Sequence, residues 1–154
     1  MPLPPVTIDR LETLVQPGDS ALQRDGDVLR RTYADVVVEM RCWHGEVLTI
    51  TTFSTSLIDP ATVTYAKYLA TRPETGTMIA TVSVEETDDG HRFKAECDAL
   101  IAAGATDRQL LDIVYRAMDV TASTVTNYDA SVAEMALDRA AQETAGERAA
   151  EGQV

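Results

Sequence analysis

The side chains best suited to chemistry are few, and their spacing does not bring them together. His44 and His91 are the two histidines, each beside a turn signal, and no CxxC or HxxxH pair accompanies them. Metal coordination needs such convergent ligands, so both read as solvated turn residues and no metal is expected. Cys42 and Cys97 fall at inward positions of alternating stretches, where a thiol packs as a small, inert hydrophobe. Whether the two are neighbours is open at this level. No GxSxG is present, and neither histidine has an evident serine or cysteine partner with an acid, so nucleophilic hydrolysis has no candidate. The eight glycines are scattered without GxG or GK[ST], which argues against the common phosphate-cradling loops and their nucleotide cofactors. Glu85, Glu86, Asp88 and Asp89 lack the spacing of an oxygen-ligand loop and read as a charged hairpin tip that discourages edge pairing. No catalytic residue and no cofactor are expected.

Composition narrows the partners. Thirteen Lys and Arg against twenty-five Asp and Glu give a formal charge of −12, a field that repels phosphate backbones and anionic headgroups. Nucleic acid and membrane are therefore not expected as partners. With no apolar run of about 18 residues and no basic-then-apolar leader, the expectation is neither a span nor a secretion signal. Two cysteines cannot form a disulfide scaffold, which suits a reducing cytoplasm. The 154 residues, 45% of them apolar, make one packed domain. We place it at 1–145, with 146–154 as a frayed acidic tail.

The elements that would position these residues follow from caps, turns and alternation. Thr7 caps a short helix carrying Ile8, Leu11, Leu14 and Val15, ended by Pro17-Gly18-Asp19. Asp25-Gly26 reads as a hairpin turn, with a strand beginning over Asp27–Arg31. Val36, Val38, Met40 and Cys42 alternate with Val37, Glu39, Arg41 and Trp43, and after His44-Gly45 the segment Glu46–Ser54 returns as a strand. Asp59-Pro60 opens a helix that Pro73 must end, at about Arg72. A second hairpin runs from Thr77–Glu85 through Asp88-Asp89-Gly90 to His91–Ala99, in which Phe93, Ala95, Cys97 and Ala99 form the dry face.

Thr106 and Gln109 have the form of a capping box. Behind them Leu110, Leu111, Val114, Met118, Val125, Tyr128, Val132 and Met135 trace a helical stripe. Unbroken to Thr144, that helix is about 57 Å long at 1.5 Å per residue, so its second half overhangs strands of only ~17–20 Å. The weak helix formers Val120–Thr126 make a bend or break there an expectation. The fold class is α+β: an antiparallel sheet of five to six strands covered by helices, in the order α-β-β-β-α-β-β-α.

The middle helix is the oddity. Val63, Ala66, Leu69 and Ala70 fill one arc, and Ala61, Tyr65 and Tyr68 widen it to roughly 200°, about twice what one core needs. Its second surface meets a second copy, a client, the overhanging final helix, or water. Ala61, Tyr65, Tyr68 and Leu69 are thus the candidate dimer or partner surface.

This order of elements resembles the type III secretion chaperone-like fold and, within it, the YbjN family of small bacterial cytoplasmic proteins. Three features carry the resemblance: the hairpin Val36–Ser54 around His44-Gly45, the helix opened by Asp59-Pro60, and the strand Arg92–Ala99 leading into Ala103-Gly-Ala-Thr-Asp-Arg-Gln-Leu110. The last looks like the Gly-Val-Thr-Asp-x-Gln-Leu entry to that family's final helix. The likeness spans about Asp27 to Val132. The chain departs from the family where Ala66–Thr71 replaces a tryptophan-and-asparagine stretch and Thr126-Asn127-Tyr128 replaces adjacent aromatics. The resemblance implies a non-enzymatic, dimeric protein that binds or regulates another protein, and it assigns no binding residue. The functional expectation is therefore a protein-binding module, chaperone-like or regulatory, acting as a homodimer. The alternative is a carrier of a small apolar ligand, in a cavity lined by Trp43, Phe53, Tyr65 and Met118.

Overall fold

The computed structural model describes residues 2–15, 22–72 and 80–151. Thr7 caps α1 (Ile8–Leu14) by accepting from Arg10 N at 3.2 Å. The expected stop at Pro17-Gly18-Asp19 lies outside the described residues. A hairpin follows, β1 (Leu22–Asp25) and β2 (Val28–Thr32), turned by Gly26 at φ 58°. Next come β3 (Val36–Trp43) and β4 (Val47–Ser54). Their turn uses left-handed backbone at both His44 (φ 52°) and Gly45 (φ 72°), the conformations that match the twist of a tight hairpin.

Asp59 accepts from Ala61 N at 2.8 Å and opens a 3₁₀ turn, Pro60–Thr62, which runs into α2 (Val63–Ala70). The helix ends two residues short of the expected Arg72, where the amides of Thr71 and Arg72 turn back to the carbonyls of Tyr68 and Leu69. In the second hairpin β5 (Thr81–Thr87) and β6 (Gly90–Leu100) flank Asp88-Asp89. The expected strand start at Thr77 lies outside the described residues.

The capping box forms as the sequence implies. Gln109 N donates to Thr106 Oγ1 at 3.2 Å, and Thr106 N donates to Gln109 Oε1 at 2.9 Å. It opens α3 (Asp107–Glu151), 45 residues in one helix and about 67 Å long. The expected break at Val120–Thr126 does not occur. Thr121, Thr124 and Val125 are buried there, so packing on the sheet outweighs weak propensity. Thr121 Oγ1 sits 2.6 Å from Thr52 Oγ1 of β4 and donates back to Ala117 O at 2.8 Å. Of the tail 146–154, expected to fray, residues 146–151 continue this helix and 152–154 lie outside the described residues.

All six strands pair antiparallel in the order β1-β2-β3-β4-β6-β5. The sixth is β1, the strand ahead of the Asp25-Gly26 turn. Val38, Met40, Leu48, Ile50, Phe93, Ala95 and Cys97 face one core together with Leu11, Val15, Ala66, Leu110, Val114 and Val125. The three described helices therefore cover the same face, and the alternate residues of each strand form an open face.

The N-terminal segment is tied to the start of α3. Ala105 N donates to Pro4 O. The Arg10 guanidinium reaches the carbonyls of Pro4, Pro5 and Ala105 and the Asp107 carboxylate. Gly104 lies beneath this strap at φ 77°, and a Cβ there would stand 2.6 Å from the carbonyl oxygens of Leu3 and Pro4.

Candidate interaction surfaces

The four residues expected to form one surface on the middle helix divide between three environments. Tyr65 and Leu69 are half-buried against the core beside the fully buried Ala66. Ala61 is exposed, and its carbonyl accepts from Arg139 Nη1 of α3 at 3.1 Å. Tyr68 is 58% exposed, with the Arg72 guanidinium 5.8 Å from its ring centre. The wide apolar arc is thus shared by the core, the overhang of α3 and solvent.

Between the 3₁₀ turn and α3 lies a cleft of about 470 Å³. Its apolar walls are Leu57, Ile58, Val132 and Ala133, and Asp35 and Asp129 also line it. Leu57 is 52% exposed. Asp129 accepts from Ser54 Oγ at 2.5 Å. Burial pushes its carboxyl above the ordinary aspartate value, and the Ser54 bond opposes that shift in part.

The open face of the sheet holds a cross-strand polar lattice. Arg30 pairs with Glu39 at 2.6 Å, and Arg92 with Glu85 at 2.7 Å. Thr51 Oγ1 donates to Glu96 and Thr49 Oγ1 to Asp98. The Arg92 guanidinium lies 4.4 Å from the Phe53 ring centre. These long side chains leave Thr49, Thr51 and Phe53 buried on a face that, among the described residues, no helix covers. At one end the lattice stops. Register places Trp43, Val47 and Leu100 side by side on β3, β4 and β6, and Trp43 is 49% and Leu100 87% exposed. Trp43 Nε1 donates to Thr49 Oγ1 at 3.0 Å, which pins the indole to the face.

The sequence reading missed this patch. The alternation marks Trp43 as outward and the hairpin puts Val47 beside it, but Leu100 joins them only because β6 lies next to β4.

The other candidates do not converge. Cys42 and Cys97 both face the core side, but β4 separates their strands. Two strand spacings of about 4.8 Å put their Cα atoms beyond disulfide reach. Burial raises both thiols, that of Cys42 to about 11, so neither is nucleophilic near neutral pH. His44 sits in the β3–β4 turn and His91 at the far end of β6, where its carbonyl accepts from Ile58 N. Glu85 points to the open face towards Arg92, and Glu86 alternates away from it. Among the described residues no three His, Cys, Asp or Glu side chains are grouped to hold a metal ion, and no helix is long and apolar enough to cross a membrane. The four supposed cavity residues are also apart. Trp43 and Phe53 lie on the open face, while Met118 is buried beneath α3 on the other side.

No protein-family model matches the chain, and no curated protein matches it. Among solved structures it is similar to YbjN from E. coli, described as a candidate transcription regulator. The TM-score is 0.69 over 84% of this chain and 96% of that one, at 11% identity. At that identity the likeness speaks for the fold alone, and the fold of this chain is that of YbjN.

Proposed function

We propose that the chain is a non-enzymatic protein-binding module, regulatory or chaperone-like, that acts as a homodimer. The observation that carries this reading is the cleft between the 3₁₀ turn and α3. It is walled by Leu57, Ile58, Val132 and Ala133, with the carboxylates of Asp35 and Asp129 beside those walls. Such a cleft suits an apolar side chain of a partner segment with a lysine or arginine next to it. The exposed Ala61 of the 3₁₀ turn lies next to the cleft, between Asp59 and Thr62 that help to line it. The description of YbjN as a candidate regulator supports the same class of role, and fold likeness leaves the site to decide it.

The test is native mass spectrometry of protein isolated gently from its source, followed by titration of any co-purifying polypeptide. Ala133→Trp fills the cleft from an exposed helix position and should weaken that binding by about tenfold or more. Binding unchanged by Ala133→Trp, or no polypeptide at all, would overturn the reading. The cleft volume also falls within the range of small-ligand sites. A bound compound of a few hundred daltons released by organic extraction would therefore favour a carrier instead.

A further inference from the structure

We propose that the open face of the sheet is where two copies of this chain meet, stacked face to face about a two-fold axis running along β4. The inference rests on the homodimer reading above and gives it a surface.

Charge selects this face. Its cations are Arg30, Arg41, Arg92 and Lys94, and its anions are Asp25, Glu39, Glu85, Glu96 and Asp98. The face therefore carries −1, and the rest of the chain carries −11 of the formal −12. A second copy approaching the helical side meets strong repulsion. On the open face both signs interleave, as self-complementary contact requires.

The apolar row sets the axis. β4 lies between β3 and β6 in the sheet. Rotation about β4 exchanges the two flanking strands. It lays Trp43 of one copy on Leu100 of the other, twice, with Val47 on Val47 between them. One row further in, Arg41 meets Asp98, again twice, since both pair with Thr49 across the sheet. Glu39 then faces Glu96, but Arg30 already neutralises Glu39 at 2.6 Å and Thr51 donates to Glu96. The result is a tryptophan-centred apolar patch bordered by charge pairs, the composition of strong interfaces. About that axis β1 extends past the partner's edge, and the five overlapping strands at about 4.8 Å spacing, with eight residues at about 3.4 Å, give a footprint of roughly 520 Å² a side, the size of a small, reversible interface.

The experiment is sedimentation equilibrium of the full chain and four variants, Leu100→Asp, Tyr68→Asp, Arg41→Asp and Asp98→Arg, with the double variant Arg41→Asp/Asp98→Arg. Leu100 and Tyr68 are exposed, so those two variants fold, and thermal unfolding checks every one. The proposal expects wild type at twice 16.7 kDa, with association about tenfold weaker in Leu100→Asp and in each charge reversal. It expects near-wild-type association in the double variant, where the pairs re-form with signs exchanged, and in Tyr68→Asp. Trp43 is the single tryptophan, so its emission should move to shorter wavelength as concentration rises. A dimer that survives Leu100→Asp, or a double variant that shows no rescue, overturns the interface and leaves the homodimer standing. A 16.7 kDa monomer at high concentration overturns both.

Discussion

The hydroxyl pair between Thr52 and Thr121 is a contact whose two ends are not equivalent. Thr121 Oγ1 donates to Ala117 O, so Thr52 must donate to Thr121. Thr121→Val leaves the Thr52 donor buried without an acceptor and should cost about 1–3 kcal/mol. Thr52→Val leaves Thr121 its helix carbonyl and should cost less. The double variant should come out less destabilised than the sum of the two, which urea unfolding of all four chains would measure.

Asp129 obeys a different logic. Its proton affinity in the folded chain exceeds that of an unfolded aspartate. Between those two values the folded state binds more protons, so stability falls as pH rises through that window and the charge is held at a cost at neutral pH. Asp129→Asn keeps an acceptor for Ser54 and removes that charge. It should be at least as stable as wild type at pH 7, with the difference shrinking as pH falls towards the ordinary aspartate range. A variant less stable at pH 7 would contradict this.

Among the elements, α3 shows best what a sequence can and cannot disclose. Its start was legible because a capping box is local: Thr106 and Gln109 lie three residues apart and satisfy each other's amides. The same holds for Asp59 ahead of Pro60 and for His44-Gly45. Its continuity was not legible, because Val120–Thr126 are poor helix formers in isolation and only the sheet beneath them makes that run favourable. The candidate surface on α2 suffered similarly. Tyr65 sits with Ala61 and Tyr68 on the widened edge of the helical wheel, but the core and the α3 overhang reach further round the helix than one apolar face requires. The Trp43–Val47–Leu100 row needed still more, namely the choice of β6 over β5 as neighbour of β4.

The distal part of α3 carries a prediction of its own. Residues 141–148 are all exposed, so little packing energy resides there. A chain ending at Ala140 retains the Arg139 bond to Ala61 and should unfold within about 1 kcal/mol of the full chain. A larger loss would mean that the exposed turns support the core.

At the scale of the whole molecule, the uneven distribution of charge governs association. Repulsion between two chains of −12 acts over the screening length, about 30 Å at 0.01 M salt and about 10 Å at 0.1 M. The Trp43–Leu100 contact is apolar and insensitive to that screening. Association should therefore strengthen as salt rises from 0.01 to 0.1 M, as read by the sedimentation-derived dissociation constant. Weakening over that range would mean that the Arg41–Asp98 pairs, and not the apolar row, dominate the contact.

The strap at Gly104 bears on how the chain is made. Residues 3–10 leave the ribosome about 100 residues ahead of Ala105, whose amide donates to Pro4 O, and of Asp107, whose carboxylate accepts from Arg10. At roughly 5–20 residues per second the first segment waits some 5–20 s for the surface it rests on. Through that interval Arg10 lacks two of its four acceptors and Leu11 lacks the part of the core that α3 completes. The strap formed by residues 3–5 is thus among the last pieces to be fastened. A translation product that stops short of Gly104 has its strands, α1 and α2 but lacks Leu110, Val114 and Val125 of α3, with which the core is completed.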